Sequence, residues 1–111
     1  MTHVFLRLPV GDGALGPGKA RLLELVEQTG SIRAAAGVMK LSYRRAWLLL
    51  QETEQIFGAP VLARRTGGKS GGGAALTPLG RGIVKHYRAA EGHAARAVRA
   101  DLRALEKLAK S

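Results

Sequence analysis

The sequence predicts a mainly α-helical fold carrying one small β-hairpin, and three observations predict it. Apolar residues recur at helical spacing in several segments, two of which begin at a serine and follow one another closely. A glycine-rich stretch separates two short apolar runs late in the chain, the pattern of a hairpin with a long tip. A long uninterrupted helical segment then runs to the end. With 111 residues, the expectation is a single packed domain.

Val4, Leu6 and Leu8 suggest a short edge strand ending at Pro9, although Phe5 blurs the alternation. Val10 to Gly18 is rich in glycine and reads as a loop. Pro17 suits a first helical turn, and Leu22, Leu23, Leu25 and Val26 mark a first helix from Lys19 to Gln28. Thr29-Gly30 ends it, because glycine accepts the left-handed cap. Ser31 is a favourable N-cap for a second helix through about Met39, whose apolar face is Ile32, Ala35, Ala36 and Met39. Lys40-Leu41 makes a brief turn. Ser42 caps a third helix to about Phe57, with Ala46, Leu50, Thr53 and Phe57 facing inward. Gly58 and Pro60 stop it. Val61–Arg65 and Ala74–Leu76 are the hairpin strands, and Thr66 to Gly73 is the tip. Thr77-Pro78 starts the last helix, expected to reach Ala109.

Two short helices joined by a tight turn and followed by a hairpin are the pattern of a winged helix-turn-helix. Charge supports the same reading. The formal net charge is +10, from 18 Lys and Arg against 8 Asp and Glu. Between Gln28 and Ala90 ten residues are basic and only Glu52 and Glu54 are acidic. A field of this kind suits a polyanion, with double-stranded DNA ahead of an anionic membrane. No segment approaches the roughly 20 apolar residues of a membrane span. Met1 to Val10 lacks the form of a signal peptide, and cysteine is absent, so a cytoplasmic, nucleoid-associated protein without disulfides or thiolate metal sites is expected.

The second helix of such a pair presents its first turn to base edges. Here that turn is Ser42, Tyr43, Arg44 and Arg45. Two arginines there oppose the helix dipole, each by roughly 0.3–1 kcal/mol, a cost that contacts to phosphate or guanine would offset. The full set assigned to DNA is Ser31, Arg33, Ser42, Tyr43, Arg44, Arg45 and Trp47 on the two helices, with Arg64, Arg65 and Lys69 on the wing. Trp47 has an alternative role as a core anchor. Ala63 to Ser70 reads ARRTGGKS, one residue from a phosphate-loop pattern, but three glycines follow where a helix is required. His86 and His93 are spaced seven apart, too far for a pair of ligands on one helix. No constellation suggests catalysis, so no enzyme activity, cofactor or metal is expected.

The segment GSIRAAAGVMKLSYRRAW and the later TGGKSGGGAALTPLG closely resemble the N-terminal DNA-binding domain of ModE-type molybdate-responsive regulators, and more distantly that of LysR-type regulators. The resemblance runs from about Leu6 to Ala90. It implies a winged helix-turn-helix that dimerises and binds palindromic operators, with Ser42 to Arg45 at the recognition surface and Lys69 in the wing. Full-length ModE regulators also carry oxyanion-binding domains with a Ser-Ala-Arg-Asn signature, which this sequence lacks. The expectation is therefore a regulator without molybdate binding of its own, relying if at all on a separate effector or sensor protein.

Residues 1–90 are expected to form the winged domain and 91–111 a C-terminal extension of the last helix. Ile83, Tyr87, Ala90, Ala94, Val98, Leu102, Leu105 and Ala109 make one apolar stripe, whose far part suits a partner helix in a homodimer. The alternative is that this helix folds back over its own first helix or N-terminal strand. Two other functions remain open at this point, a DNA-coating protein without a preferred operator and an oxyanion-binding module.

Overall fold

Apolar spacing, capping and glycine placement produce eight elements in the computed structural model, which describes residues 4–65 and 73–109. Strands β1 (Leu8–Val10) and β2 (Gly13–Leu15) are followed by α1 (Pro17–Thr29), α2 (Ile32–Val38) and α3 (Tyr43–Phe57). Strands β3 (Leu62–Arg65) and β4 (Gly73–Leu76) precede α4 (Pro78–Ala109). Each strand pair is an antiparallel hairpin, β1 with β2 and β3 with β4.

The first hairpin corrects the sequence reading. Val4, Leu6 and the intervening residues are not in a strand, and the expected loop from Val10 to Gly18 contains β2. Two residues, Gly11 and Asp12, make the turn, and Gly11 takes φ +54°, as the first position of a two-residue hairpin turn requires. Val10↔Gly13 closes that turn, so Pro9↔Ala14 falls at a pair that exchanges no backbone hydrogen bonds. Proline, which has no N–H to give, therefore fits inside the strand.

The core is aliphatic. α1 contributes Ala20, Leu22, Leu23, Leu25 and Val26, and the paired helices contribute Ala35, Ala36, Ala46 and Leu50. Val61, Leu76, Ile83 and Tyr87 close it from the other side. Buried Thr53 donates its hydroxyl to the Leu49 carbonyl at 2.8 Å, and Phe57 packs against the core while only half-buried. α1 ends on Gly30 at φ +74°, whose N–H reaches the Val26 carbonyl. α3 ends likewise on Gly58.

α4 is anchored only over its first part. Ile83 and Tyr87 are buried, and the Tyr87 hydroxyl donates to the Leu6 carbonyl at 2.6 Å. Arg88 donates through Nε and Nη2 to the two oxygens of Glu24 on α1, at 3.0 and 2.6 Å, and through Nη1 to Glu91 at 2.6 Å. The bond to Glu24 raises the Arg88 pKa above the ordinary guanidinium range, against a smaller opposing effect of burial, and Glu91 reinforces it. Beyond Glu91 the predicted stripe lies largely open, with Val98 at 40% and Leu105 at 60% exposure, and Leu108, which is not in that stripe, is 69% exposed. The first turns of α4 thus fold over α1 and the N-terminal segment, and its far half is largely exposed. Among the described residues no helix is long and apolar enough to cross a membrane.

Candidate nucleic-acid interface

Local chemistry sets the helix pair. The Ser31 hydroxyl oxygen accepts the Ala34 N–H at 3.0 Å, and that of Ser42 accepts the Arg45 N–H at 3.0 Å. Each fixes a helix start as the sequence predicts. A hydroxyl that accepts in this way still has its own O–H to donate.

Between the helices, the Leu41 N–H bonds the Ala36 carbonyl and the Lys40 N–H bonds the Gly37 carbonyl. This is the Schellman pattern, with Lys40 as its left-handed residue at φ +58°. It redirects the chain within Met39 to Ser42 and sets α3 against α2.

The first turn of α3 faces solvent. Tyr43 is 41% exposed, and Arg44 and Arg45 are exposed without a carboxylate partner among the described residues. The guanidinium of Arg33 lies over the Tyr43 ring, 4.7 Å from its centroid. Trp47, one turn along, is 42% exposed. Its alternative role as a core anchor is therefore overturned, because Ala46 and Leu50 take the buried positions on either side. Trp47 instead borders a groove of about 170 Å³ between α3 and the wing, with Gln51, Leu62 and Arg64 among its walls. Arg64 is exposed, and Arg65 is the last residue of β3. Lys69 and the hairpin tip at 66–72 lie outside the described residues.

Two carboxylates missed in the sequence hold the wing. Glu54 accepts the Val61 N–H at 2.8 Å and Glu27 accepts the Leu76 N–H at 3.1 Å. The Ala74 N–H adds a bond to the Gly30 carbonyl at 2.8 Å, tying β4 to the α1–α2 junction. Thr77 behaves as predicted, its hydroxyl accepting the Gly80 N–H at 3.1 Å.

The basic count requires a correction. Arg81 donates to the Leu76 carbonyl at 2.8 Å and lies 3.7 Å from Glu27, and Arg88 is held by Glu24 and Glu91. These two cations of the central ten support the fold. Among the described residues, no group of three or more His, Cys, Asp and Glu side chains is placed to hold a metal ion.

The profile of the bacterial regulatory helix-turn-helix protein, lysR family, matches residues 18–81, which hold α1, the helix pair and the wing strands. The chain belongs to this family. Within the LysR-type fold its resemblance is to ModE regulators. The molybdenum transport protein ModE of Azotobacter vinelandii is 45% identical over 91 residues, covering 82% of this chain and 33% of that protein. The transcriptional regulator ModE of Haemophilus influenzae is 42% identical over 87 residues, covering 78% and 34%. The chain thus spans about a third of the length of these curated relatives. Among solved structures, that of the CbnR_DBD–DNA complex matches with a TM-score of 0.62 at 22% identity, covering 79% of this chain and 95% of that one. That likeness shows the fold alone.

Proposed function

We propose that this LysR-type, ModE-like domain binds double-stranded DNA as a homodimer at a palindromic operator and regulates transcription, acting in the cytoplasm at the nucleoid. The observation that carries the reading is the first turn of α3. It presents Tyr43, Arg44 and Arg45 outward on a helix whose opposite face is locked in the core, with Arg33 at one side and Trp47 and Arg64 at the other. In this reading Arg44 and Arg45 meet base edges, and Ser31, Arg33, Ser42, Arg64, Arg65 and Lys69 meet the backbone. Residues 1–90 are the DNA-binding unit, and residues 91–111 pair with the same segment of a second copy. Effector sensing is assigned to a separate segment or protein.

Selection of bound duplexes from a random pool tests this. The expected product is a palindrome whose half-sites lie about one helical turn, or a multiple of it, apart. Arg44→Ala or Arg45→Ala should narrow the gap between selected and random duplex, because a bidentate arginine–guanine contact contributes roughly 1–3 kcal/mol of discrimination. Binding without any enriched sequence would replace the regulator with a DNA-coating protein. Failure to bind any duplex would end the DNA reading.

A further inference from the structure

Arg33 and Tyr43 belong to different helices, and no sequence pattern joins them. The turn at Met39 to Ser42 brings them together, so that the guanidinium lies over the ring at 4.7 Å from its centroid. Both side chains are exposed, and Arg33 has no carboxylate partner among the described residues. A long side chain in such a place would otherwise sample many rotamers. An aromatic face beneath it restricts them while leaving N–H groups directed outward, the fork that suits a phosphate.

We propose that Tyr43 is a positioning residue, its ring holding the Arg33 guanidinium where it grips one backbone phosphate beside the groove that α3 enters. The proposal rests on the DNA-binding reading and specifies the ligand of Arg33. Phosphate is the partner because Arg33 comes from the first helix of the pair, which crosses the backbone in helix-turn-helix complexes. Tyr43 then acts through Arg33, and its hydroxyl is dispensable.

The test is a double-mutant cycle on the full chain, titrated with the selected duplex and a random duplex over a series of salt concentrations. Arg33→Ala should lower the slope of log affinity against log salt by about 0.9, roughly eightfold in affinity at about 0.1 M salt. It should weaken both duplexes equally. Tyr43→Leu should weaken both by roughly threefold to fivefold, and should do nothing further in the Arg33→Ala background, where a positioning role has no object. Tyr43→Phe, which keeps the ring, should recover most of the affinity that Tyr43→Leu loses. Thermal unfolding checks each variant, and Tyr43→Ala repeats the ring removal independently. Additive losses in the cycle would overturn the proposal, as would a Tyr43→Phe loss equal to that of Tyr43→Leu. A change in preference between the two duplexes would make Tyr43 or Arg33 a reader of bases, and would overturn it as well. A parent chain that binds neither duplex would instead remove the DNA reading itself, and this proposal with it.

Discussion

Lys40 sits in the left-handed region at φ +58°, which costs a residue bearing a Cβ roughly 1–2 kcal/mol. Part of that cost is recoverable, because glycine adopts the conformation without it but loses more chain entropy on folding. Lys40→Gly is expected to stabilise the chain by up to about 1 kcal/mol, a few degrees in Tm. A fall in Tm would show that the lysine side chain supports the turn. The position was legible as a turn, but without a glycine nothing in the sequence marked which residue takes the left-handed conformation. Ser31, Ser42, Gly30 and Gly58 could be read directly, since each cap is a local bond within a few residues. Tyr87 was legible as part of an apolar stripe, but its hydroxyl bond to Leu6 was not, since the two lie 81 residues apart. Burial, with the negative Glu91 adding and Arg88 opposing, pushes the Tyr87 phenol above its ordinary value of 10.0. The fold therefore favours the neutral form. That contribution is fully present below the ordinary value and is lost as pH rises through the higher folded one. Tyr87→Phe should cost about 1 kcal/mol at neutral pH, and its deficit against the parent should shrink as pH is raised past about 10. Thermal unfolding of both proteins across that range measures the difference, and a deficit constant with pH would contradict the assignment.

At the scale of elements, the four helices and the wing strands were readable because their apolar spacing, caps and turn residues agree with one another. The N-terminal hairpin was not readable. Its strands are three residues each, too short for a periodicity, and Pro9 looked like an end when it occupies a pair that needs no N–H. The anchoring of the wing was also hidden, since Glu27 reaches a backbone amide 49 residues away. Sequence spacing cannot show such a contact, although an acid within an otherwise basic region, as Glu54 is, was a faint signal. Gly80, in the first turn of α4, lies tight against Val61 and Leu76. A Cβ there would lie 2.5 Å from the Val61 carbonyl oxygen, a backbone atom that cannot swing aside. Gly80→Ala is therefore expected to destabilise by about 1–3 kcal/mol, although alanine is the better helix former. Denaturant unfolding checks the sign, and a gain in stability would mean that α4 can shift away from β3 at little cost.

For the whole molecule, α4 is the element on which the proposed pairing of two copies rests. A helix of 32 residues is about 48 Å long, against overall extents of 58 × 28 × 20 Å. Its first part is fixed to α1 by the Arg88–Glu24 pair and to the N-terminal segment by the Tyr87–Leu6 bond, and its far part carries Val98, Leu105 and Leu108 in the open. The stripe was legible as an amphipathic pattern, but how much of it the chain covers for itself depends on how far along α4 the contacts to α1 and the N-terminal segment reach, which only the packed structure reveals. Leu105→Asp and Leu108→Asp separate a pairing surface from mere exposure. In an isolated chain these positions meet water, so the substitutions should change stability by no more than about 0.5 kcal/mol. In a dimer each would place an unpaired carboxylate in an apolar seam. The expected result is a shift to monomer in sedimentation, with loss of the concentration dependence of Tm that a dimer shows. Affinity for a single half-site should stay unchanged. Affinity for the full palindrome should fall by about 10²-fold or more, because two linked half-sites no longer bind as one. A doubly substituted chain that remains dimeric would move the interface away from the far half of α4, while a monomer that keeps full palindrome affinity would sever dimerisation from operator recognition.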